Sequence, residues 1–423
     1  MTEETMIGKV LPENIGCKNV GRENAVCDDI CENASFDGKM LKSSSVPLSK
    51  KYSLGLFDLD GVVYLGANPI EHCSESIARA EENGMHVCYT TNNPSRYPSV
   101  IAKQLQSFGL KVGEKDVITS AMVTAAMLNE ALPDSARVLV AGKEHLTDEL
   151  SSAGFDLVSK ADEKPDAVVQ SWFPEIGWQH LSQVAYAIGN GARYFVTNKD
   201  TTIPRESGIA PGNGAMQVPV MLATGRQPEK SAGKPEPQMY NMAREIFSPS
   251  DEPVERDLSL PVGDRLDTDI EAANRGGYDS LLVLTGVTKP EDVIRAEKVC
   301  RPTYISHDLR GLNVAHKAPK KISDAEISRE NTCGSALRGG NSKGAGCSEK
   351  ISCEEKTAVW ELSDSLAFVE NNVLRVFEFG TSVEKVTLLD SLRAACSAVW
   401  EAADEGKIRG EDIKLPEFAE VLL

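Results

Sequence analysis

Short apolar runs separated by polar turns recur along the chain from residue 52, and their lengths predict strands that alternate with helices. The run at 54–57 has the length of a buried strand, and the segment at 77–84 has that of a helix ending in its glycine. A second apolar run at 85–91 completes a strand, helix, strand unit. Because such crossovers connect parallel strands, the pattern predicts a parallel sheet with helices packed on it.

The same alternation continues to about residue 316. It predicts strands at 138–141, 167–170, 194–197, 258–262 and 280–284, and helices at 99–108, 179–190, 239–247 and 270–275. A long loop rich in glycine and proline, from residue 198 to residue 215, interrupts the alternation. Because a loop of this length inside a compact fold is usually functional or disordered, and its flanks are patterned, we expect it to be functional.

The two ends of the patterned region differ from it in composition. Residues 1–50 are polar and have no sustained period, which predicts a disordered extension. Residues 317–356 collect Lys, Ser, Gly and Asn, as a flexible linker does. The remainder, 357–423, is predicted to form a small α+β domain, with strands at 358–362, 365–370 and 373–379 and an apolar helix at 385–404.

Composition and charge narrow the class of protein. A hydrophobic fraction of 41% and a charged fraction of 26% are those of a soluble globular protein, and 423 residues suit two or three folded units. The net charge of -18 argues against a nucleic-acid partner but not against a small anionic substrate. The ten cysteines are scattered, and neither a secretory signal nor a membrane span is evident, so we expect a cytoplasmic protein.

Chemically useful side chains follow several of the predicted strands. Two carboxylates two residues apart, Asp58 and Asp60, come directly after the first strand and could share a cation. The other groups are Thr91 with Asn92, Lys234 between a glycine and a proline, and the carboxylates Asp264, Asp267 and Asp269. Each has an ordinary alternative: an acidic turn, a helix N-cap or a surface lysine. Ligands bind at the carboxyl ends of parallel strands, so their recurrence there favours one site.

Phosphoryl transfer through an aspartyl-phosphate uses this combination of groups. The reaction needs a carboxylate nucleophile, a proton donor for the leaving alcohol, cations for the phosphoryl oxygens and a magnesium ion held by oxygen ligands. The sequence supplies a candidate for every role.

The four groups also resemble the four motifs of the haloacid dehalogenase superfamily. The matching stretches are Asp58-Leu59-Asp60-Gly61-Val62, Thr91-Asn92, Gly233-Lys234-Pro235 and Gly263-Asp264 with Asp269. The resemblance covers about residues 52 to 315 and implies a doubly wound α/β core at 51–132 and 223–316. The segment at 133–222 resembles the inserted α/β C2 cap of class IIA members, the nitrophenyl-phosphatase-like group.

The resemblance implies catalytic roles for several residues. Asp58 would be the nucleophile, and Asp60 would protonate the leaving oxygen and then activate water. The phosphate would be held by Thr91, the amide of Asn92, Gly61 and Lys234.

The resemblance also implies Mg²⁺ as the cofactor. Its ligands would be Asp58, the main-chain oxygen of Asp60 and Asp264. Asp269 would orient the metal's surroundings, and whether Asp267 shares that task stays open.

We expect the cap to determine which phosphate ester is the substrate. The loop residues expected to face the substrate are Asn198, Asp200, Pro211, Gly212 and Gly214. The stretches 263–271 and 301–310, together with the C-terminal domain, resemble the glycerol-3-phosphate phosphatases of actinobacteria, in which that domain is like a truncated acetyltransferase-type (GNAT) fold. The resemblance implies hydrolysis of glycerol 3-phosphate, in glycerol or glycerophospholipid metabolism.

Other functions stay open at this point. Within the same chemistry, the substrate is alternatively 2-phosphoglycolate, pyridoxal phosphate, a nucleotide monophosphate or nitrophenyl phosphate. From another class, the chain is a non-enzymatic sensor of a phosphate ester, although such a protein would be expected to have lost motif residues. The partner in each case is a small phosphate ester rather than nucleic acid or a membrane, and a homodimer is neither required nor excluded.

Overall fold

The protein is represented by a computed structural model that describes residues 40–205, 208–248, 252–322, 357–383 and 385–418. Within these residues three larger sheets account for most strands: a core sheet, a cap sheet and a C-terminal sheet. None of the helices in this part of the chain combines the length and the apolar character needed to cross a membrane.

The core sheet has six strands, all parallel, as the sequence predicts. Their spatial order is Tyr304–Ser306, Leu281–Val283, Ser259–Gly263, Leu54–Phe57, His86–Thr91 and Val117–Thr119. The first strand in the sequence is central and fully buried, and its side chains alternate between two apolar clusters. Leu54 and Leu56 pack into one cluster and Phe57 into the other. A sheet buried on both faces explains why this strand is apolar throughout.

The cap sheet has five parallel strands. Their order is Lys230–Ser231, Arg193–Val196, Ala167–Gln170, Arg137–Ala141 and Asp156–Val158. The edge strand Lys230–Ser231 lies beyond the boundary predicted at residue 222, so the cap extends further than expected. The reason is that this two-residue strand is too short to give an apolar pattern in the sequence.

Helices connect and cover these strands. Those of the core and cap are Leu48–Lys51, Cys73–Glu82, Pro98–Ser107, Ser120–Ala131, Glu144–Ser152, Trp178–Gly189, Asn213–Thr224, Gln238–Ile246, Glu271–Arg275 and Pro290–Ile294. The loop predicted at 198–215 is not irregular throughout. It contains an antiparallel hairpin, Thr202–Arg205 with Gly208–Pro211, and the start of the helix at Asn213.

The prediction of a disordered extension at 1–50 is wrong for residues 40–50, which belong to the described structure. Residues 1–39 lie outside the described residues, whereas residues 40–51 are described and pack on the core. Leu48 has no exposed surface, and the backbone of Ser44 pairs with His316. The prediction was wrong here because this segment is mostly polar. Only a few apolar residues, including Leu41 and Leu48, attach it to the core.

The C-terminal module comprises an antiparallel sheet, a long helix and the residues that follow it. The strands, in spatial order, are Lys320–Ile322, Val359–Leu362, Ser365–Glu370, Val373–Glu378 and Thr381–Val383, and the helix is Leu389–Asp404. Two predictions were wrong here. Residues 320–322 form a strand rather than linker, because they pair with 359–361 from the far side of the segment 323–356, which lies outside the described residues. The helix begins at Leu389 rather than at residue 385, because Lys385–Val386 pairs with Glu417–Phe418.

Candidate active site

The polar groups predicted from the sequence meet at the carboxyl edge of the core sheet. Asp58 follows the central strand, Thr91 ends its neighbour on one side, and Asp264 follows its neighbour on the other. Lys234 reaches the same place from the cap, three residues after Ser231, and the amide of Gly233 donates to the carbonyl of Thr197. The site is therefore assembled from both the core and the cap.

A buried lysine connects two of the carboxylates. The Lys234 Nζ atom lies 2.5 Å from Asp58 Oδ1 and 2.6 Å from Asp269 Oδ1. Burial acts to lower the pKa of Lys234, but Asp269 and Asp58 raise it well above its ordinary value. Lys234 is therefore a fixed cation in the site.

Three carboxylates are placed to share a cation. One oxygen from each of Asp58, Asp264 and Asp269 lies within 4.8 Å of the others. Asp264 Oδ1 is buried and has no hydrogen-bond partner among the described residues, while Asp264 Oδ2 accepts from the amide of Val287 at 2.7 Å. A buried carboxylate oxygen without a partner is costly unless a cation meets it, and oxygen donors suit Mg²⁺. The residues fit the predicted metal.

The pKa values of two of these carboxylates are raised in the protein without metal. Burial is the main cause at Asp58 and is opposed by Lys234, while Asp269 and Asp264 raise the pKa of Asp58 further. Burial and the nearby Asp269 raise the pKa of Asp264 to about 7. A divalent cation between such groups favours their charged forms, which is the form that binds metal.

Asp267 and Asp269, the two candidates for orienting the metal's surroundings, differ in burial. Asp269 is 1% exposed, and its second oxygen accepts from the amide of Arg265. Asp267 is 63% exposed and forms an ion pair with the side chain of Arg265. Both aspartates lie in a single π-helical turn, Leu266–Ile270, a feature frequent at functional sites, and of the two only Asp269 lies close to Asp58 and Asp264.

Asp60 and Gly61 form the turn after the nucleophile candidate. Asp60 is exposed, two residues beyond Asp58. Gly61 has a φ of 86°, and a Cβ atom there would lie 2.5 Å from Asp264 Oδ2. Only glycine allows the loop to pass this close to the Asp264 carboxylate.

Asn92 joins the core to the cap. Its side-chain oxygen accepts from the amide of Lys234 at 2.8 Å, and its side-chain nitrogen donates to the Lys234 carbonyl and to Asp200, both at 3.0 Å. Its carbonyl accepts from Asn198 and Ser120. Thr91, beside it, accepts a hydrogen bond from the amide of Asn93. Asn92 thus fixes the lysine and the cap loop relative to each other.

The five predicted cap residues divide into two groups. Asn198 and Asp200 contact Asn92, and burial raises the pKa of Asp200 to about 6. Pro211, Gly212 and Gly214 instead lie where the hairpin meets the following helix. There, Cβ atoms on the two glycines would lie 2.2 Å from the Asp200 carbonyl and 2.4 Å from the Lys199 carbonyl. These glycines let the helix pack against the loop that carries Asp200.

One loop of the site, Thr285–Thr288, was not predicted from the sequence. Thr285 Oγ1 donates to the carbonyl of Gly61 at 2.6 Å, and the amide of Val287 donates to Asp264. A Cβ atom on Gly286 would lie 1.9 Å from Asp264 Oδ2. This loop also follows a parallel strand, Leu281–Val283, so it lies where ligands are expected to bind. It was not predicted because it contains no charged side chain.

Comparison with known proteins agrees with this geometry. A model of haloacid dehalogenase-like hydrolases matches residues 55–156, and a second model, described as HAD-hydrolase-like, matches residues 231–312. The chain belongs to this family, and its relatives identify it as a phosphatase. The predicted family, the α/β fold class of the core and the enzyme class are confirmed, whereas the likeness of the C-terminal domain to a truncated acetyltransferase-type fold stays a prediction.

Two relatives are informative in sequence. The D-glycerol 3-phosphate phosphatase of Mycobacterium tuberculosis is 40% identical over 268 residues, which are 63% of this chain and 72% of the relative. An acid sugar phosphatase of Staphylococcus saprophyticus is 36% identical over 260 residues, 62% of this chain and 96% of the relative.

Two solved structures are similar in fold. The glycerol phosphate phosphatase of Mycobacterium tuberculosis in complex with magnesium has a TM-score of 0.64 and 33% identity, covering 85% of this chain and 93% of that chain. The p-nitrophenyl phosphatase of Archaeoglobus fulgidus has a TM-score of 0.56 and 29% identity, covering 62% of this chain and 98% of that chain. HAD phosphatases use Mg²⁺, as predicted for this site.

Proposed function

We propose that the protein is a Mg²⁺-dependent phosphatase that hydrolyses glycerol 3-phosphate through a phosphorylated Asp58. One observation carries this proposal. Within the carboxylate group, Asp264 and Asp269 are 0% and 1% exposed, whereas the side chain of Asp58 is 14% exposed. Asp58 is therefore the member of the group that an incoming phosphate ester can reach.

In the first step, a carboxylate oxygen of Asp58 attacks phosphorus. The bond between phosphorus and the ester oxygen breaks, and its electron pair stays on that oxygen, which takes a proton from the carboxyl group of Asp60. The products of this step are the free alcohol and an aspartyl-phosphate on Asp58. Asp60 suits the role of proton carrier because it lies on an exposed turn next to the nucleophile.

In the second step, water attacks phosphorus and gives its proton to the Asp60 carboxylate. The bond between phosphorus and the Asp58 oxygen breaks, which releases inorganic phosphate and restores both carboxyl groups. Asp60 thus returns to its protonated form for the next turnover, so no further proton source is needed.

The remaining residues bind the phosphoryl group and balance its charge. Lys234 is buried against Asp58 and would neutralise the attacking carboxylate and the phosphoryl oxygens. Thr91 and the amide of Asn92 would hold phosphoryl oxygens. Asp58, Asp264 and the main-chain oxygen of Asp60 would bind Mg²⁺, with Asp269 orienting this group, and the bound ion supplies charge stabilisation to the phosphoryl oxygens.

Glycerol 3-phosphate is the substrate that the relatives favour. The relative named as a D-glycerol 3-phosphate phosphatase shares 40% identity with this chain. A second candidate is a sugar phosphate, which is favoured by the acid sugar phosphatase at 36% identity. Both substrates are small polyhydroxy phosphate esters, which a closed cap can surround.

The test of the substrate is a comparison of kcat/KM across phosphate esters. The panel contains glycerol 3-phosphate, a sugar phosphate, 2-phosphoglycolate, pyridoxal phosphate, a nucleoside monophosphate and nitrophenyl phosphate. We expect glycerol 3-phosphate to have the highest kcat/KM, and turnover of every ester to stop with EDTA and return with Mg²⁺. A preference of about tenfold for another ester would overturn the substrate assignment while leaving the chemistry intact.

A further inference from the structure

We propose that the C-terminal module positions the Asp264 side of the metal site, acting through the loop Thr285–Thr288. The inference rests on the magnesium site of the proposed function and adds a role for a module that contributes no residue to the carboxylate group. The contacts that carry it form a continuous path from the C-terminal helix to Asp264.

The path begins where the C-terminal module meets the short core helix Pro290–Ile294. The Nε1 atom of Trp400 donates to the carbonyl of Val293 at 3.1 Å, and Trp400 is 1% exposed. Arg295, at the end of the same helix, donates to the carbonyl of Ile413 at 3.1 Å. One hydrogen bond therefore reaches the backbone of this helix, and the other comes from the side chain of the residue that follows it.

The surrounding packing makes this contact rigid. A single apolar cluster contains core residues and residues of the C-terminal helix: Ile270, Leu282, Leu284, Val293, Ile294, Leu392, Ala395, Val399 and Trp400. Arg301 lies over the Trp400 ring and forms an ion pair with Asp404 at 2.8 Å. Because packed interiors transmit displacement, a shift of the C-terminal helix would move the core helix with it.

The short helix follows directly from the loop Thr285–Thr288, which holds the metal site. The amide of Val287 donates to Asp264 Oδ2, and the amide of Thr288 donates to the Asp264 carbonyl. Thr285 fixes Gly61, which lies against the same carboxylate. This leaves Asp264 Oδ1 without a hydrogen-bond partner among the described residues and so able to bind a metal ion. Groups that orient a metal ligand in this way affect metal affinity more than substrate affinity.

The test is calorimetric titration of Mg²⁺ into the full-length protein carrying single substitutions. Trp400→Phe removes the hydrogen bond to Val293 and keeps the ring in the core, and Arg295→Gln removes the second hydrogen bond from an exposed position. We expect each substitution to weaken Mg²⁺ binding, with a Kd about threefold higher than that of the parent. Thr285→Val, which acts on the loop itself, should weaken it by about tenfold.

The matched control is Trp360→Phe. The Trp360 indole donates to Glu401 at 3.0 Å, so the substitution makes the same chemical change within the C-terminal module and removes no hydrogen bond to the core helix. Its Kd for Mg²⁺ should equal that of the parent. A positioning role also predicts that saturating Mg²⁺ restores kcat in Trp400→Phe and Arg295→Gln and that their KM for the phosphate ester does not change.

The outcomes separate the two proposals. If Arg295→Gln and folded Trp400→Phe bind Mg²⁺ as tightly as the parent, the positioning role is wrong and the proposed function stands. If Trp400→Phe does not fold, Arg295→Gln alone decides, because its side chain is exposed. If Asp264→Asn binds Mg²⁺ as tightly as the parent, the metal site itself is wrong and both proposals fall.

Discussion

At the scale of single residues, the site depends on two uncharged positions as much as on its carboxylates. Asn92 holds both the backbone of Lys234 and the side chain of Asp200. Gly286 leaves room for the Asp264 carboxylate. Neither acts on phosphorus through its side chain in the proposed mechanism. Asn92 instead holds Lys234, which would bind the phosphoryl group, and Gly286 makes room for Asp264, which would bind the metal.

Asn92→Ala should lower kcat/KM on the order of 100-fold, because losing the hydrogen bonds to Lys234 and Asp200 displaces both the cation and the cap loop. Steady-state kinetics on glycerol 3-phosphate measure this. Asn83→Ala is the control, since Asn83 donates to Ser49 and Asn313, away from the carboxylates. Equal activity losses in the two variants would show that Asn92 matters only for stability.

Gly286→Ala should weaken Mg²⁺ binding by about tenfold or more, because its methyl group would lie 1.9 Å from Asp264 Oδ2 and must displace it. The Mg²⁺ concentration needed for half-maximal activity reports the change. Gly189→Ala, where no atom lies within 4 Å of the added methyl group, should leave that concentration as in the parent. Unchanged Mg²⁺ dependence in Gly286→Ala would contradict the close contact.

How far single residues could be predicted depended on their chemistry. Asp58 and Asp264 were identifiable because charged groups after buried strands stand out, and Lys234 because it lies between a glycine and a proline in a stretch that resembles a family motif. The choice of Asp269 over Asp267 could not be made from the sequence, because both are acidic. Their different burial arises from the π-helical turn that contains them, and packing determines that turn. The Thr285–Thr288 loop was overlooked because it acts mainly through backbone amides, which every residue has.

At the scale of elements, the start of the C-terminal helix is held by a buried carboxylate. Glu378 accepts hydrogen bonds from the amides of Thr387 and Leu388 and from the hydroxyls of Thr387 and Ser391. Although burial acts to raise it, these hydrogen bonds lower the pKa of Glu378 from its ordinary value of 4.5. A negative group at a helix N-terminus also interacts favourably with the helix dipole.

Glu378→Gln should lower the free energy of unfolding at pH 7 by about 1–2 kcal/mol, since it weakens charge-assisted hydrogen bonds. A carboxylate whose pKa is lowered on folding stabilises the protein above its ordinary pKa, and this stability is lost as the pH falls through the folded-state pKa. The difference between parent and variant should therefore shrink below about pH 4.5. Urea denaturation at several pH values measures it.

The control for Glu378 is Glu370→Gln on the adjacent strand. Glu370 lies 3.8 Å from Arg375, which is half exposed, so its contribution should be below about 0.5 kcal/mol. A pH-independent difference between parent and Glu378→Gln would mean that shape, rather than charge, makes Glu378 stabilising.

Elements were predictable where apolar periods were long. The strands Ala167–Gln170 and Ser365–Glu370 have the predicted bounds, and four of the six predicted helices begin and end within one residue of the prediction. The helices Ser120–Ala131 and Glu144–Ser152 were not predicted. The hairpin Thr202–Arg205 with Gly208–Pro211 was missed because its second strand is mostly exposed, and an exposed strand has no apolar alternation to reveal it.

At the scale of the whole molecule, the features that could not be predicted from the sequence are strand pairings between distant segments. The strand before Lys234 joins the cap sheet, and residues 320–322 join a sheet whose other strands begin at 359. Both pairings are between segments separated by at least 30 residues, so local composition does not determine them. The parallel core, by contrast, followed from the strand, helix, strand order alone.

The central claim, a phosphoryl group carried on Asp58, is tested most directly by acid quench and peptide mass mapping. Asp60→Asn should accumulate the intermediate with nitrophenyl phosphate, because this leaving group needs no proton while hydrolysis of the intermediate still needs a base. We predict one phosphoryl group on the peptide containing Asp58, and no turnover in Asp58→Asn with its fold retained. Absence of a phosphorylated peptide, together with activity of Asp58→Asn within about tenfold of the parent, would contradict the mechanism.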